Sequence, residues 1–369
     1  MADVAIELGD LHTLADFEAS ARAAMAPAAF DYVAGGAWDE VSLAENDGAW
    51  RRRRLRPRVL IDVSRVDPST AMIGTPVAMP VAVAPMAVHG LAHPDAEIAS
   101  ARAAAEAGIP FTLSTMSSRS IEAVAAAAPN GTNWFQLYTQ ADPGRSRELV
   151  RRAEAAGYRA IVLTVDLPRL GYRDRDRRSG FELPDLGNFA PAAPATHAMG
   201  VHAPGFGPNE QQGVGSTWAD LATIRSWSSL PLVLKGIMTA EDAMLAVDHG
   251  VDAIVVSNHG ARQLDRTPAP IDVLEEVVDA IDGRAEIWVD GGVRRGLDVA
   301  IALAIGARAV LLGRPVLWAL ATAGEAGVAR ALEILREEVE IALTLIGTPT
   351  PAAVTRRHLV AAAPLPARA

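Results

Sequence analysis

The 369-residue chain contains no cysteine, which excludes disulfides, thiolate nucleophiles and cysteine-held metals. Aromatic residues make up only 5%, and none alternates with the one dense basic run, Arg51 to Arg58 (RRRRLRPR), where stacking of bases would need them. Positive charge is also the minority, 34 basic against 44 acidic residues for a formal charge of −10, so a polyanion meets net repulsion. The run therefore reads as a solvated, salt-bridging face or a subunit contact, and no nucleic-acid partner is expected. No apolar stretch reaches the ~18 uninterrupted residues of a spanning helix. The longest, Val299 to Gly313, is broken by Gly306 and Arg308, so no membrane partner is expected. The opening MADVAIELGD has no basic stretch followed by an apolar one, and a cytoplasmic location is the expectation. Half of the residues are hydrophobic and 21% are charged, which is the balance of a globular chain with a large core.

Eight short apolar runs follow one another: VAVAP from Val81, FTLS from Phe111, WFQLY from Trp134, AIVLTVD from Ala160, LPLVLKG from Leu230, AIVVSNHG from Ala253, EIWVDGG from Glu286 and AVLLGRP from Ala309. Continuous rather than alternating runs suit strands buried on both faces of a parallel sheet. Between them lie helix-favouring segments, Asp95 to Ala107, Arg145 to Ala156, Thr239 to His249 and Arg295 to Ile305, each followed by a glycine stop: Gly108, Gly157, Gly250 and Gly306. Eight strand-helix units predict a (β/α)8 TIM barrel, an α/β fold, with a doubly wound sheet as the alternative.

One domain, residues 1–369, is expected. Residues 1–80 form an N-terminal helical cap of one or two helices, the first capped by Thr13 or Asp16, plus a short β segment. Residues 81–345 form the barrel, and 346–369 a C-terminal tail. The long gap after the fourth strand, residues 171–217, is rich in Gly, Pro and Ala and reads as a partly disordered loop or lid.

Polar residues gather at the predicted C-terminal ends of the strands, the face on which barrel enzymes build their sites. The richest segment is SNHGARQLD, Ser257 to Asp265, where His259 and Arg262 set a base and an anion-binding fork in one tight turn. Asp166 ends another strand and would orient His259 as the third member of a triad does, unless it merely caps a helix. Lys235 closes LPLVLKG, and a lysine there must neutralise something, through a Schiff base or against an anionic cofactor. VDGGVRRG and LLGRP end the seventh and eighth strands, where barrels hold phosphates on backbone N–H groups and an Arg. His89 and His93 have the spacing of a metal pair, but Pro94 follows and no third ligand recurs, so no metal is expected. His12, His197, His202, His249 and His358 read as surface or loop residues.

Together SNHGARQLD, LTVDLPRLGYRDRD, KGIMTAEDA, DGGVRRGLDV and GRPVLWALA resemble the FMN-dependent 2-hydroxy acid oxidase and dehydrogenase family, which includes glycolate, lactate and mandelate oxidases. The resemblance runs from about Leu14 to Leu359. It implies that His259 is the active-site base, Asp166 its partner, and that Tyr138 contacts the reacting hydroxyl. Tyr32, Arg173 and Arg262 would hold the substrate carboxylate. For FMN it implies Ala84, Ala87, Ser114, Gln136 and Thr164 along the ring, Lys235 at its N1/O2 edge, Ser257 against it and Asp290 on the ribityl chain. Gly292, Arg294, Gly313 and Arg314 would hold the phosphate. It further implies a homo-oligomer, tetramer or octamer.

Many glycolate oxidases have Trp in the motif TLSSW where this chain has TLSTM with Met116, and Met86 precedes Ala87. Two flexible thioethers line a roomier apolar pocket, which favours a 2-hydroxy acid larger than glycolate. Alanine at position 87 goes with the oxidases of the family. The expected reaction is oxidation of an (S)-2-hydroxy acid to the 2-oxo acid, with O2 as acceptor and H2O2 released. A family dehydrogenase or monooxygenase is the rival, with another FMN barrel such as an isomerase, or a non-catalytic flavin-binding barrel, further off.

Overall fold

The computed structural model describes residues 7–189 and 216–360. Three helices lead, α1 (Leu14–Ala24), α2 (Pro27–Ala34) and α3 (Val41–Arg52), one more than the sequence predicts. Thr13 and Asp16 cap α1 jointly, since the Thr13 N–H donates to Asp16 Oδ2 at 2.8 Å. α3 carries Asn46, Asp47 and Gly48 at its centre, all poor helix formers, and is secured from outside. Its Trp50 Nε1 donates to the carbonyl of Gly291 at 2.8 Å, a partner too distant in sequence to be anticipated. Within the basic run, Arg52 pairs with Glu45 and Asp272 and Arg53 with Asp272, as a salt-bridging face should.

A hairpin of β1 (Thr70–Met72) and β2 (Thr75–Val77) leads into the barrel. Strand then helix repeats through β3 (Val81–Met86), α4 (Ala96–Glu106), β4 (Phe111–Ser114), α5 (Ile121–Ala127), β5 (Asn133–Leu137) and α6 (Pro143–Ala155). The chain continues with β6 (Ile161–Thr164), α7 (Asp174–Ser179), α8 (Asp220–Arg225), β7 (Leu232–Ile237), α9 (Ala240–Asp248) and β8 (Ala253–Val256). The last units are α10 (Pro270–Ile281), β9 (Glu286–Val289), α11 (Gly296–Ile305), β10 (Ala309–Leu312) and α12 (Arg314–Ile346). The strands β3 to β10 are all parallel, and β10 pairs back onto β3, so the sheet closes into the eight-stranded TIM barrel. All eight predicted runs are its strands.

The barrel interior is filled by size complementarity. Trp134 and Trp288 stack at 4.9 Å with planes 6° apart, and Ala82, Ala160, Ala253 and Ala309 leave them room. Met72 and Val77 of the hairpin pack on the same cluster and close the end at which the strands begin. That leaves the opposite mouth for the site.

Residues 171–189 of the expected loop hold α7, whereas the expectation of disorder falls mainly on 190–215, outside the described residues, as do His197 and His202. His358 is buried rather than exposed, its Nδ1 accepting from the Thr355 N–H at 3.0 Å within a 3-10 turn. Among the described residues no helix is long and apolar enough to cross a membrane, and no group of three or more His, Asp or Glu is placed to hold a metal.

Candidate active site

At the C-terminal mouth of the barrel lies a cavity of about 1310 Å³, its open end included. Of the residues expected there, Tyr32, Ala84, Met86, Ala87, Ser114, Met116, Tyr138, Arg173, Lys235, His259, Arg262, Asp290, Gly292, Arg294, Gly313 and Arg314 line it. Gln136, Thr164, Ser257 and Asp166 are not on its wall and support those that are. Gln136 Oε1 accepts from Ser114 Oγ at 3.0 Å, Ser257 Oγ accepts from Lys235 Nζ at 2.8 Å, and Thr164 pairs in register with Lys235.

His259 leaves β8 in an unusual turn. His259, Gly260 and Ala261 have φ of +60°, +63° and +61°, a left-handed run that costs about 1 to 3 kcal/mol at each non-glycine position and must be held from outside. Asn258 holds it, accepting from the Ala261 N–H at 3.0 Å. Asn258 is fixed in turn by a reciprocal pair of amide bonds with Asn46 of α3, at 2.9 and 2.8 Å. The His259 N–H donates to Ser257 Oγ at 3.1 Å.

The imidazole is oriented on both sides. Nδ1 donates to Asp166 Oδ1 at 2.8 Å, which makes Nε2 the acceptor of the neutral ring, and Nε2 stands 3.3 Å from Tyr138 Oη. Burial lowers the His259 pKa and outweighs the attraction of Asp166, so the ring is a neutral base. For Asp166 burial acts upward, but His259 and Lys235 together hold its carboxyl below the usual carboxylate range. Burial and the Asp166 charge push the Tyr138 phenol up, so it keeps its proton. Room for Asp166 comes from Gly236, at φ +111° and beside a register shift of β7 between Lys235 and Ile237. A Cβ on Gly236 would lie 2.6 Å from both Cβ and Cγ of Asp166.

Lys235 is the only lysine in the chain, and it is 4% exposed. Its Nζ lies 3.0 Å from Asp290 Oδ2. Burial alone would lower its pKa, yet Asp290 and Asp166 raise it above the ordinary value, so it stays a cation. A Schiff base, which needs a neutral amine, is disfavoured.

The arginines are more tied down than motif spacing suggests. Arg262 Nη1 donates to the carbonyls of Tyr32 at 2.6 Å and Gly35 at 2.9 Å, its guanidinium 4.9 Å over the Tyr32 ring. Arg173 Nε donates to the Arg262 carbonyl at 3.3 Å. Arg314 donates to the carbonyls of Val33, Gly35 and Gly260, and burial with Arg262 and Arg294 nearby lowers its pKa to about 9. Arg294 donates to its neighbour Val293, lies 3.4 Å from Asp47 and covers the Trp318 ring.

This setting suits a flavin mononucleotide. Gln136 Nε2, Thr164 Oγ1 and Asp290 Oδ1 are buried without a hydrogen-bond partner among the described residues, around the Ser114 and Lys235 wall. Such atoms are costly unless a ligand completes them. A Cβ on Gly313, just before α12, would meet only Met86 Sδ at 3.9 Å and Ala84 Cβ at 4.0 Å, so the backbone there is open to close approach at a helix start.

The model of the FMN-dependent dehydrogenase family matches residues 21–361. The chain belongs to that family. It is 47% identical over 342 residues to the L-lactate oxidase of Nostoc sp., covering 90% of this chain and 94% of that protein. It is 45% identical to Glycolate oxidase 1 of Zea mays, covering 96% of each. A crystal structure of mandelate oxidase superposes with a TM-score of 0.87 at 46% identity, covering 95% of this chain and 98% of that one. As an FMN-dependent 2-hydroxy acid oxidase family enzyme, the protein carries out FMN-dependent oxidation of a 2-hydroxy acid.

In this family member several wall residues went unread in the sequence. Leu167, Leu170, Asp176, Phe181 and Leu183 come from the segment around α7, while Asn46 and Trp50 of α3 brace Asn258 and Gly291 from behind the wall. Phe181 stacks on Tyr32 at 4.3 Å. An isolated run such as FELP, after the charged DRDRRS, shows no periodicity that would mark it as a wall.

Proposed function

We propose that the enzyme is an (S)-2-hydroxy acid oxidase that uses O2 as acceptor and prefers substrates larger than glycolate. The observation that carries this reading is one cavity in which a neutral His259, backed by Asp166 and faced by Tyr138, shares space with Arg173 and Arg262 and with an apolar wall of Met86, Met116, Leu167, Leu170, Phe181 and Leu183. Arg262, Arg173 and Tyr32 hold the substrate carboxylate and so fix the reacting carbon near His259. His259 Nε2 accepts the proton that the substrate loses, Asp166 stabilises the resulting imidazolium, and Tyr138 donates to the substrate oxygen. FMN, when bound, supplies the two-electron acceptor. Ala84, Ala87, Ser114, Gln136 and Thr164 would lie along its ring, Ser257 behind it and Asp290 by the ribityl chain. Gly292, Arg294, Gly313 and Arg314 would hold the phosphate. Lys235 would set its positive charge where negative charge grows on reduction. Overall, the hydroxy acid and O2 give the 2-oxo acid and H2O2.

Ala87 on the cavity wall and the names of the relatives, L-lactate oxidase and glycolate oxidase, support the choice of O2. The preference for larger acids rests on Met116 and Met86 in the wall. The same reading takes the protein as a homo-oligomer, tetramer or octamer, in the cytoplasm. The test is peroxide release with glycolate, lactate, 2-hydroxyoctanoate and mandelate. One H2O2 per acid oxidised, with glycolate the poorest, is expected. A 2-oxo acid formed without matching peroxide overturns the acceptor, and glycolate as the best substrate overturns the size preference.

A further inference from the structure

α7 brings opposite charges to the cavity wall. Arg173, at its N-cap, and Asp176, one turn later, both line the cavity and are 7% and 3% exposed. Arg173 Nη1 comes no closer than 3.9 Å to Asp176 Oδ2, beyond hydrogen-bond distance. Oδ2 is buried and takes no hydrogen bond from the described residues. A carboxylate so placed is costly, and a nearby cation alone does not satisfy its oxygens.

The charges that face it come from each element packed there: Arg173 and Arg175 on α7, Asp31 on α2, and Arg262 in the turn after β8. Burial raises the Asp176 carboxyl above its ordinary value, and the attraction of Arg262 and Arg173 offsets that only in part. Arg175 is engaged outside the cavity, with Glu40 and Asp31. The balance inside the cavity is then simple. Arg173 and Arg262 bring two positive charges to the place where one substrate carboxylate brings a single negative one. Asp176 supplies the second.

We propose that Asp176 is a specificity-determining residue whose carboxylate reduces the two-arginine site to one net positive charge, so that the cavity admits 2-hydroxy acids with one carboxylate and rejects those with two. This rests on the reading above that Arg173 and Arg262 hold the substrate carboxylate. Without Asp176 the arginines would leave a positive excess that a second carboxylate could satisfy. Rejection then comes from like charge, and the apolar wall adds a desolvation cost that falls on any charged end, whatever its sign.

That difference in sign provides the test. Three five-carbon (S)-acids are compared at pH 7.5 by anaerobic flavin bleaching and peroxide release: 2-hydroxypentanoate, 2-hydroxyglutarate and 5-amino-2-hydroxypentanoate. In the wild-type holoenzyme, kcat/KM for the cationic acid should exceed that for the anionic one by about tenfold or more, with the neutral acid best. Asp176→Asn should close or reverse that gap, and Asp176→Glu should keep it. Equal rejection of both charged acids by the wild type overturns the proposal, and this result stands even if the variants do not fold. An unchanged gap in a folded, flavin-loaded Asp176→Asn enzyme overturns it as well. Failure of the wild type to oxidise either 2-hydroxypentanoate or lactate overturns the reading it rests on, and the proposal with it.

Discussion

Substituting Gly236 tests whether the histidine needs its aspartate in one position. The Cβ of Gly236→Ala would sit 2.6 Å from Asp166 Cβ and Cγ and 2.9 Å from Oδ2. Carbon atoms pack at ~3.5 to 4.0 Å, so the aspartate must retreat by roughly 1 Å. Added to the present 2.8 Å, that would carry the Asp166 to His259 contact past hydrogen-bond range. A displacement of this size in a catalytic array costs on the order of 10²-fold in rate. The backbone contributes separately, because alanine at φ +111° is strained by about 1 to 3 kcal/mol and melting should fall accordingly. The assay is anaerobic stopped-flow bleaching of the flavin at saturating lactate, with flavin content and circular dichroism recorded beside it. Flavin should be retained while reduction slows. Since the alanine acts through Asp166, combining it with Asp166→Asn should add little to the effect of Asp166→Asn alone. Reduction within about threefold of wild type in a folded, yellow Gly236→Ala enzyme would refute the reasoning, because Asp166 would then tolerate displacement.

His259→Ala should keep FMN and lose roughly 10⁴-fold or more in flavin reduction, and near-normal bleaching would remove it as the base. Because burial lowers the His259 pKa, the neutral base persists as pH falls below the ordinary histidine value of 6.5, and the acid limb of kcat/KM should lie below that value. A limb above it would mean that a different group titrates. Arg314→Ala should weaken FMN affinity and also lower the melting temperature, since the side chain donates to the carbonyls of Val33, Gly35 and Gly260; an unchanged FMN dissociation constant would place the phosphate elsewhere. Met116→Trp overfills the wall at a cost of ~1 to 3 kcal/mol for bulky ligands, a relative loss for mandelate against lactate of roughly 5- to 150-fold in kcat/KM. An unchanged ratio would show that Met116 does not face the substrate.

What could be read from the sequence was local. The barrel strands announce themselves because burial on both faces demands unbroken apolar runs, as in Ala253 to Val256. Gly108, Gly157, Gly250 and Gly306 mark helix ends because each has positive φ, from +66° to +126°. His259, Lys235 and Asp290 are legible as polar residues at the ends of such runs. What escaped is pairing between distant segments. Asn46 meets Asn258 across 212 positions, and nothing in VSLAENDGAW hints at it. Asp176 looked like one charge among the many of YRDRDRRSG, and only the fold separates it from the exposed Arg177 and Arg178 beside it. Gln136, Thr164 and Ser257 are legible as polar residues at the ends of β5, β6 and β8, but that Gln136 Nε2 and Thr164 Oγ1 are buried without a partner among the described residues is set by packing across the barrel, which no linear pattern announces.

Lys235 carries the only side-chain amine of the protein, and it is buried in the cavity wall at the C-terminal mouth of the barrel. Acylating reagents that decorate lysines on most proteins therefore find no such target on this surface, and a lysine-specific protease finds one cleavable bond, Lys235 to Gly236, inside a closed sheet. That bond can be cut only when the barrel opens. Where reclosing outpaces cleavage, the rate of a single proteolytic cut reports the equilibrium population of the open barrel, so the chain carries its own one-site gauge of global unfolding.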